Sequence, residues 1–174
     1  MIAMKVPYVS QWDATAKLSR GDCGIVAACM IAQWKGAKTT PDDMLRRANL
    51  PVGRHTYDFP EVIRAASAVG LKLKYYYPAT WPIIRAEIKA GRPVISLLRY
   101  GKISNNQDDF EGSHFWTCIG YDDENVYVND PNFWGAYRER GAMRRVPLIE
   151  FKKAIGPALL PTGNKAYQSL FIVP

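Results

Sequence analysis

SHFWTCIGYDDENVYVNDP, residues 113–131, reads as a β-hairpin with chemistry at its open end. HFWTCIGY (114–121) and NVYVND (125–130) are rich in β-branched and aromatic residues, and DDE between them has the composition of a short turn. Antiparallel pairing about that turn sets face to face residues whose numbers sum to about 244 to 246. His114 then sits opposite the Asp130 end, so one hairpin brings an imidazole to a carboxylate. Strand alternation sends Asn129 and Asp130 to opposite faces, so only one of them can point at His114, and either can orient it.

An oriented imidazole is the basic half of a nucleophilic site, and the other half is a thiol or hydroxyl within its reach. RGDCGIVAACMIAQWKG, residues 20–36, supplies Cys23 at the head of a helix expected over 23–34, with Asp22 as N-cap and Gly36 as the closing residue. A thiolate at a helix N-terminus is stabilised by unpaired N–H groups and the positive end of the dipole. Gly24 leaves the backbone beside the sulfur open to close approach by a substrate. The charge of Asp22 opposes a thiolate, so activation is expected from His114 rather than from the cap. Cys29 inside the helix and Cys118 inside an apolar strand read as core thiols. His55, in the polar loop VGRHTYD, has no carboxylate placed to orient it.

The rest of the first half punctuates as helices. In TTPDD, Thr40 caps, Pro41 takes the first helical position, and Asp42 and Asp43 load the first turn, for a helix ending before Pro51. A third helix is expected over about 59–69, capped by Asp58, and a fourth over about 81–90, closed by Gly91. Strands are expected at LKLKYYY (71–77), PVISLLRY (93–100), RRVP (144–147) and YQSLFIV (167–173), with a short helix at LIEFKKAI. GKISNNQDDFEGS, residues 101–113, is the longest polar stretch and leads directly into His114.

At 174 residues, with 48% apolar and 22% charged composition, the chain suits one soluble domain with a real core. There is no signal-peptide pattern and no apolar run of membrane-spanning length, so a cytoplasmic location without a membrane span is the expectation. Three cysteines without CxxC spacing suggest neither a disulfide framework nor a zinc site, and no metal or cofactor is expected. The net charge of +7 is compatible with an anionic polymer as partner. The basic stretch YRERGAMRRVPLIEFKK carries no nucleic-acid motif, so it reads as a solvated face and no nucleic-acid partner is expected.

VPYVSQWD, DCGIVAACMIAQWKG, TTPDDMLRRA and SHFWTCIGYDDENVYVNDP, in that order, resemble the peptidase C39-like branch of the papain-like cysteine peptidases, related to double-glycine leader peptidases. The resemblance runs from about residue 6 to the closing strand. It implies an α+β papain-like fold, with an N-terminal helical part (about 1–92) and a C-terminal antiparallel β part (about 93–174) flanking a cleft within a single domain. It also implies catalytic roles for Gln11, Cys23, His114 and Asp130: the thiol attacks an amide carbonyl, the imidazole moves the proton, and Gln11 with the Cys23 N–H holds the oxyanion. Residues 12–22, between Gln11 and Cys23, form a longer spacer than in the leader peptidases, and no transporter follows, so leader processing for export is not implied. Trp12, beside Gln11, and Trp134, just past Asp130, are the aromatics first in line to meet a substrate. The expected partner is a peptide or protein substrate. A peptide- or cell-wall-binding module on the same fold, and another acyl transfer such as transglutamination, are the competing readings.

Overall fold

The structure is a computed structural model that describes residues 1–13, 22–54, 56–158 and 167–173. His55 therefore lies outside the described residues. In chain order the elements are β1 (Ile2–Ala3), α1 (Cys23–Trp34), α2 (Pro41–Arg47), α3 (Phe59–Ser67), β2 (Leu73–Tyr76), α4 (Trp81–Lys89), β3 (Val94–Arg99), β4 (Ser113–Tyr121), β5 (Asn125–Asn129), β6 (Arg144–Pro147), α5 (Leu148–Ile155) and β7 (Ser169–Ile172). Turns of 3-10 helix follow β3 at Tyr100–Lys102 and precede β6 at Gly135–Gly141.

Two helix starts carry the expected side-chain caps. The Thr40 hydroxyl accepts from the Asp43 N–H at 3.2 Å, and Asp58 with Glu61 forms a reciprocal capping box on α3. Asp22 departs from its expected role: with φ −93° and ψ 13° it is not extended, and its side chain makes no capping bond to α1. Burial holds α1 instead, since every residue from Gly24 to Ala32 is buried.

Among the described residues the strands form one antiparallel sheet of seven, in the order β2-β7-β3-β4-β5-β6, with β1 paired to the far end of β4. Alternation divides the apolar residues between its faces. Ile95, Leu97, Phe115, Ile119, Leu170 and Ile172 pack with α1, α2 and α3. Val94, Leu98, Trp116, Cys118, Val128 and Phe171 pack with α4 and α5 on the opposite face. β1 and β2, from before residue 92, join the same sheet as the later strands, and α4 shares its core with α5.

The β4–β5 hairpin forms about the expected turn, where the Asp122 carboxylate accepts from the Asn125 N–H at 2.7 Å and the Glu124 N–H at 2.9 Å. Its register is shifted by an irregularity between Cys118 and Gly120: Thr117 faces Asn129 on one side of it, and Gly120 faces Tyr127 on the other. The pairing therefore lies at and just past the upper edge of the expected range, and His114 meets Asp130 along a diagonal.

Candidate active site

His114 is the second residue of β4 and Asp130 directly follows β5, both on the sheet face that carries Trp116 and Val128. The His114 Nε2 lies 2.9 Å from the Asp130 Oδ1, and both side chains are buried. Asn129 turns the other way, its amide donating to the Val6 carbonyl at 3.0 Å and accepting from the Met143 N–H at 2.9 Å. Of the two residues the sequence left open, Asp130 is the one that contacts the imidazole, and Asn129 ties down the N-terminal segment.

Cys23 reaches the same point from α1. Its sulfur accepts from the Phe115 N–H at 3.4 Å, next to His114 in β4. Burial works against charge on His114, but the Cys23 and Asp130 charges outweigh it and raise the imidazole to about 10. Cys29 and Cys118 lie in apolar surroundings, and burial pushes each thiol up to about 12. All three cysteines are free.

Gly24 serves a different end from the one its sequence position suggests. A Cβ there would meet Val62 Cγ2 at 2.9 Å and Phe115 Cδ2 at 3.1 Å. The missing side chain lets α1 close against α3 and β4.

The sequence missed most of what surrounds Asp130. Its Oδ1 also accepts from the Asn132 N–H at 3.0 Å, and its Oδ2 accepts from the Tyr100 hydroxyl at 3.0 Å and from Arg144 Nη1 at 2.5 Å. Burial alone would raise the Asp130 carboxyl, but His114, Arg144 and the Asn132 N–H outweigh it and hold the group below its ordinary value. Behind it, the Tyr8 hydroxyl donates to the Asp130 carbonyl at 3.0 Å, and a Cβ on Gly141 would clash with both. Arg144 belonged to the stretch read as a solvated face, and it is buried. The signal was present in RRVP: a strand that turns Val146 inward turns Arg144 inward as well. Its neighbours do stay outside, with Arg138 paired to Asp13 at 2.7 Å and Arg145 near Glu124 at 3.8 Å.

Gln11 is drawn to the Asp130 end of the site. Its N–H donates to the Pro131 carbonyl at 3.0 Å, and its Nε2 lies 3.5 Å from the Asn132 Oδ1. The same Asn132 oxygen accepts from Trp12 Nε1 at 2.9 Å. Trp12 and Trp134, both half-buried, pack with ring centroids 4.8 Å apart. Gln107 brackets Trp134, accepting from its N–H at 2.7 Å and donating to its carbonyl at 3.1 Å, so the loop before His114 is bonded to the loop after Asp130. Asp108 adds a second tie through the Asn132 amide at 3.2 Å. Among the described residues no group of three or more His, Cys, Asp or Glu side chains converges to hold a metal, and no helix is long and apolar enough to cross a membrane.

The fold is shared with solved structures of peptidase domains. A Bacillus anthracis protein assigned as a C39-like peptidase superposes with a TM-score of 0.67 at 17% identity, covering 99% of this chain and 97% of that one. A double-glycine motif protease from an AMS/PCAT transporter, in complex with its leader peptide, gives 0.60 at 21% identity over 99% and 94%. The peptidase domain of Streptococcus ComA, part of a bifunctional ABC transporter, gives 0.61 at 13% identity over 95% and 96%. No curated protein sequence matches the chain. The model of the peptidase C39-like family matches residues 3–153, nearly the whole chain, and the chain belongs to that family.

Proposed function

We propose that the chain is a cysteine peptidase or amidase that cleaves a peptide amide with Cys23 as nucleophile, His114 as base and acid, and Asp130 as the carboxylate that orients His114. The observation that carries this reading is the approach of the Cys23 sulfur, which accepts from the Phe115 N–H, to the buried His114–Asp130 pair. In the acylation step the sulfur forms a bond to the amide carbon and the carbonyl becomes an oxyanion, held by the Cys23 N–H and the Gln11 amide. The C–N bond then breaks, the leaving amine takes the proton from His114, and a thioester is left on Cys23. His114 next takes a proton from water, which attacks the thioester and releases the acid and the free thiol.

The paired rings of Trp12 and Trp134, anchored beside Gln11 and Asp130, are the proposed contact surface for the peptide. A peptide substrate is also supported by the leader peptide bound to one structural relative. An anionic cell-wall polymer is disfavoured despite the net charge of +7, because the loop before His114 lines a recess of about 250 Å³ with Asp108, Asp109 and Glu111.

The test is incubation of the protein with a peptide library and with purified peptidoglycan, followed by mass spectrometry of new amine ends. The expected result is new ends from peptides, with a loss of about a thousandfold or more in Cys23→Ala. Cleavage by Cys23→Ala at the wild-type rate removes the mechanism, new ends from peptidoglycan alone replace the substrate class, and no ends from either favour a binding module.

A further inference from the structure

Within the proposed triad, the Asp130 carboxylate is bound on both oxygens. Oδ1 serves His114 and the Asn132 N–H, while Oδ2 takes Tyr100 and Arg144. Arg144 is held as firmly as the group it binds. Its Nη2 donates to the Ser104 carbonyl at 2.7 Å and to the Asn106 Oδ1 at 2.9 Å, and its guanidinium lies 5.1 Å from the Phe133 ring centroid. A lysine can carry the same charge but cannot span carboxylate and loop with one planar fork.

We infer that Arg144 is a positioning residue for the proposed reaction: it fixes Asp130 so that Oδ1 stays on His114, and it ties that orientation to the loop at Ser104–Asn106. The inference rests on the cysteine peptidase reading. The charge balance argues the same way. The buried Asp130 carboxylate faces two basic side chains, His114 on Oδ1 and Arg144 on Oδ2. The other titratable groups around Asp130 are the hydroxyls of Tyr100 and Tyr8, both kept neutral first of all by burial, with Asp108 behind Asn132. Without Arg144 the Asp130 carboxylate loses the cation on its Oδ2, and it takes up a proton at a higher pH.

Labelling of Cys23 by iodoacetamide needs no substrate, so its rate from about pH 5 to about pH 9 reads the cluster directly. In Arg144→Gln the acid limb of that profile is expected to rise by about one pH unit. Arg144→Lys is expected to restore the position of the limb while remaining several-fold slower. In an Asp130→Asn background, loss of Arg144 is expected to add nothing. Thermal melts identify the folded variants, and if Arg144→Gln does not fold, Arg144→Lys and the Asp130→Asn/Arg144→Gln pair carry the test. A folded Arg144→Gln or Arg144→Lys with the wild-type rate and limb overturns the inference, as does an effect of equal size with and without the Asp130 carboxylate. Those outcomes leave the peptidase reading standing. A wild-type Cys23 that labels no faster than Cys29 and Cys118 removes that reading, and the role of Arg144 with it.

Discussion

His114 and Asp130 are buried ionisable groups whose charges depend on each other, and this gives the protein a defined pH window. His114 is raised in the folded state to about 10, above its ordinary value of 6.5, so its contribution to stability is full below about pH 6.5 and is lost as pH climbs through 10. Asp130 is held below its ordinary value of 3.8, so its contribution is present above that value and is lost as pH falls through the lower, folded one. Denaturant midpoints measured across pH are therefore expected to be highest between about pH 4 and pH 6.5, and Asp130→Asn is expected to flatten the alkaline fall. An alkaline fall of full size in Asp130→Asn contradicts this coupling. At this scale the sequence told part of the story. Residue type and strand position were enough to nominate Cys23, His114 and Asp130. The choice between Asp130 and Asn129 waited on the sheet, because alternation alone states that one points inward without saying which. Arg144 was misread because charge was weighed by composition along a segment, whereas its partner is a carboxylate on a neighbouring strand.

At the scale of elements, the reactive geometry depends on how closely α1 seats against α3 and β4. Gly24 sets that distance, with Val62 and Phe115 already where a side chain would go. Gly24→Val is expected to cost about 1–3 kcal/mol in denaturant unfolding through overpacking. It is also expected to slow Cys23 labelling, because the helix end must shift away from Phe115 and His114. A Gly24→Val protein of unchanged stability and labelling rate would show that the close seat does not matter. The helices and long strands were legible because caps, closing glycines and alternation are local signals, as in the Thr40–Asp43 bond and the Asp58–Glu61 box. The shift near Ile119 was not, since the irregularity in the β4–β5 ladder has no mark in composition. β1, only two residues long, was also beyond reach of any periodicity.

Across the whole molecule, residues far apart in the chain converge at one end of the sheet: Cys23 from α1, His114 from β4, Asp130 from the end of β5, Arg144 from β6. The N-terminal segment completes the convergence, with Tyr8 and Gln11 bonded to residues 130 and 131 and Asp13 to Arg138. Order along the chain was enough to suggest the family and its α+β fold. The bonds between loops, such as Gln107 to Trp134 and Asn132 to Asp108, arise only when distant segments meet, so no local pattern announces them. In the proposed mechanism this convergence makes one cysteine of three a nucleophile. Its most direct measurement is limited iodoacetamide labelling at about pH 6 with the adduct located by peptide mass spectrometry. A single adduct on Cys23 with Cys29 and Cys118 untouched is expected, and an inert Cys23, or equal labelling of all three in the folded protein, overturns the nucleophile role of Cys23.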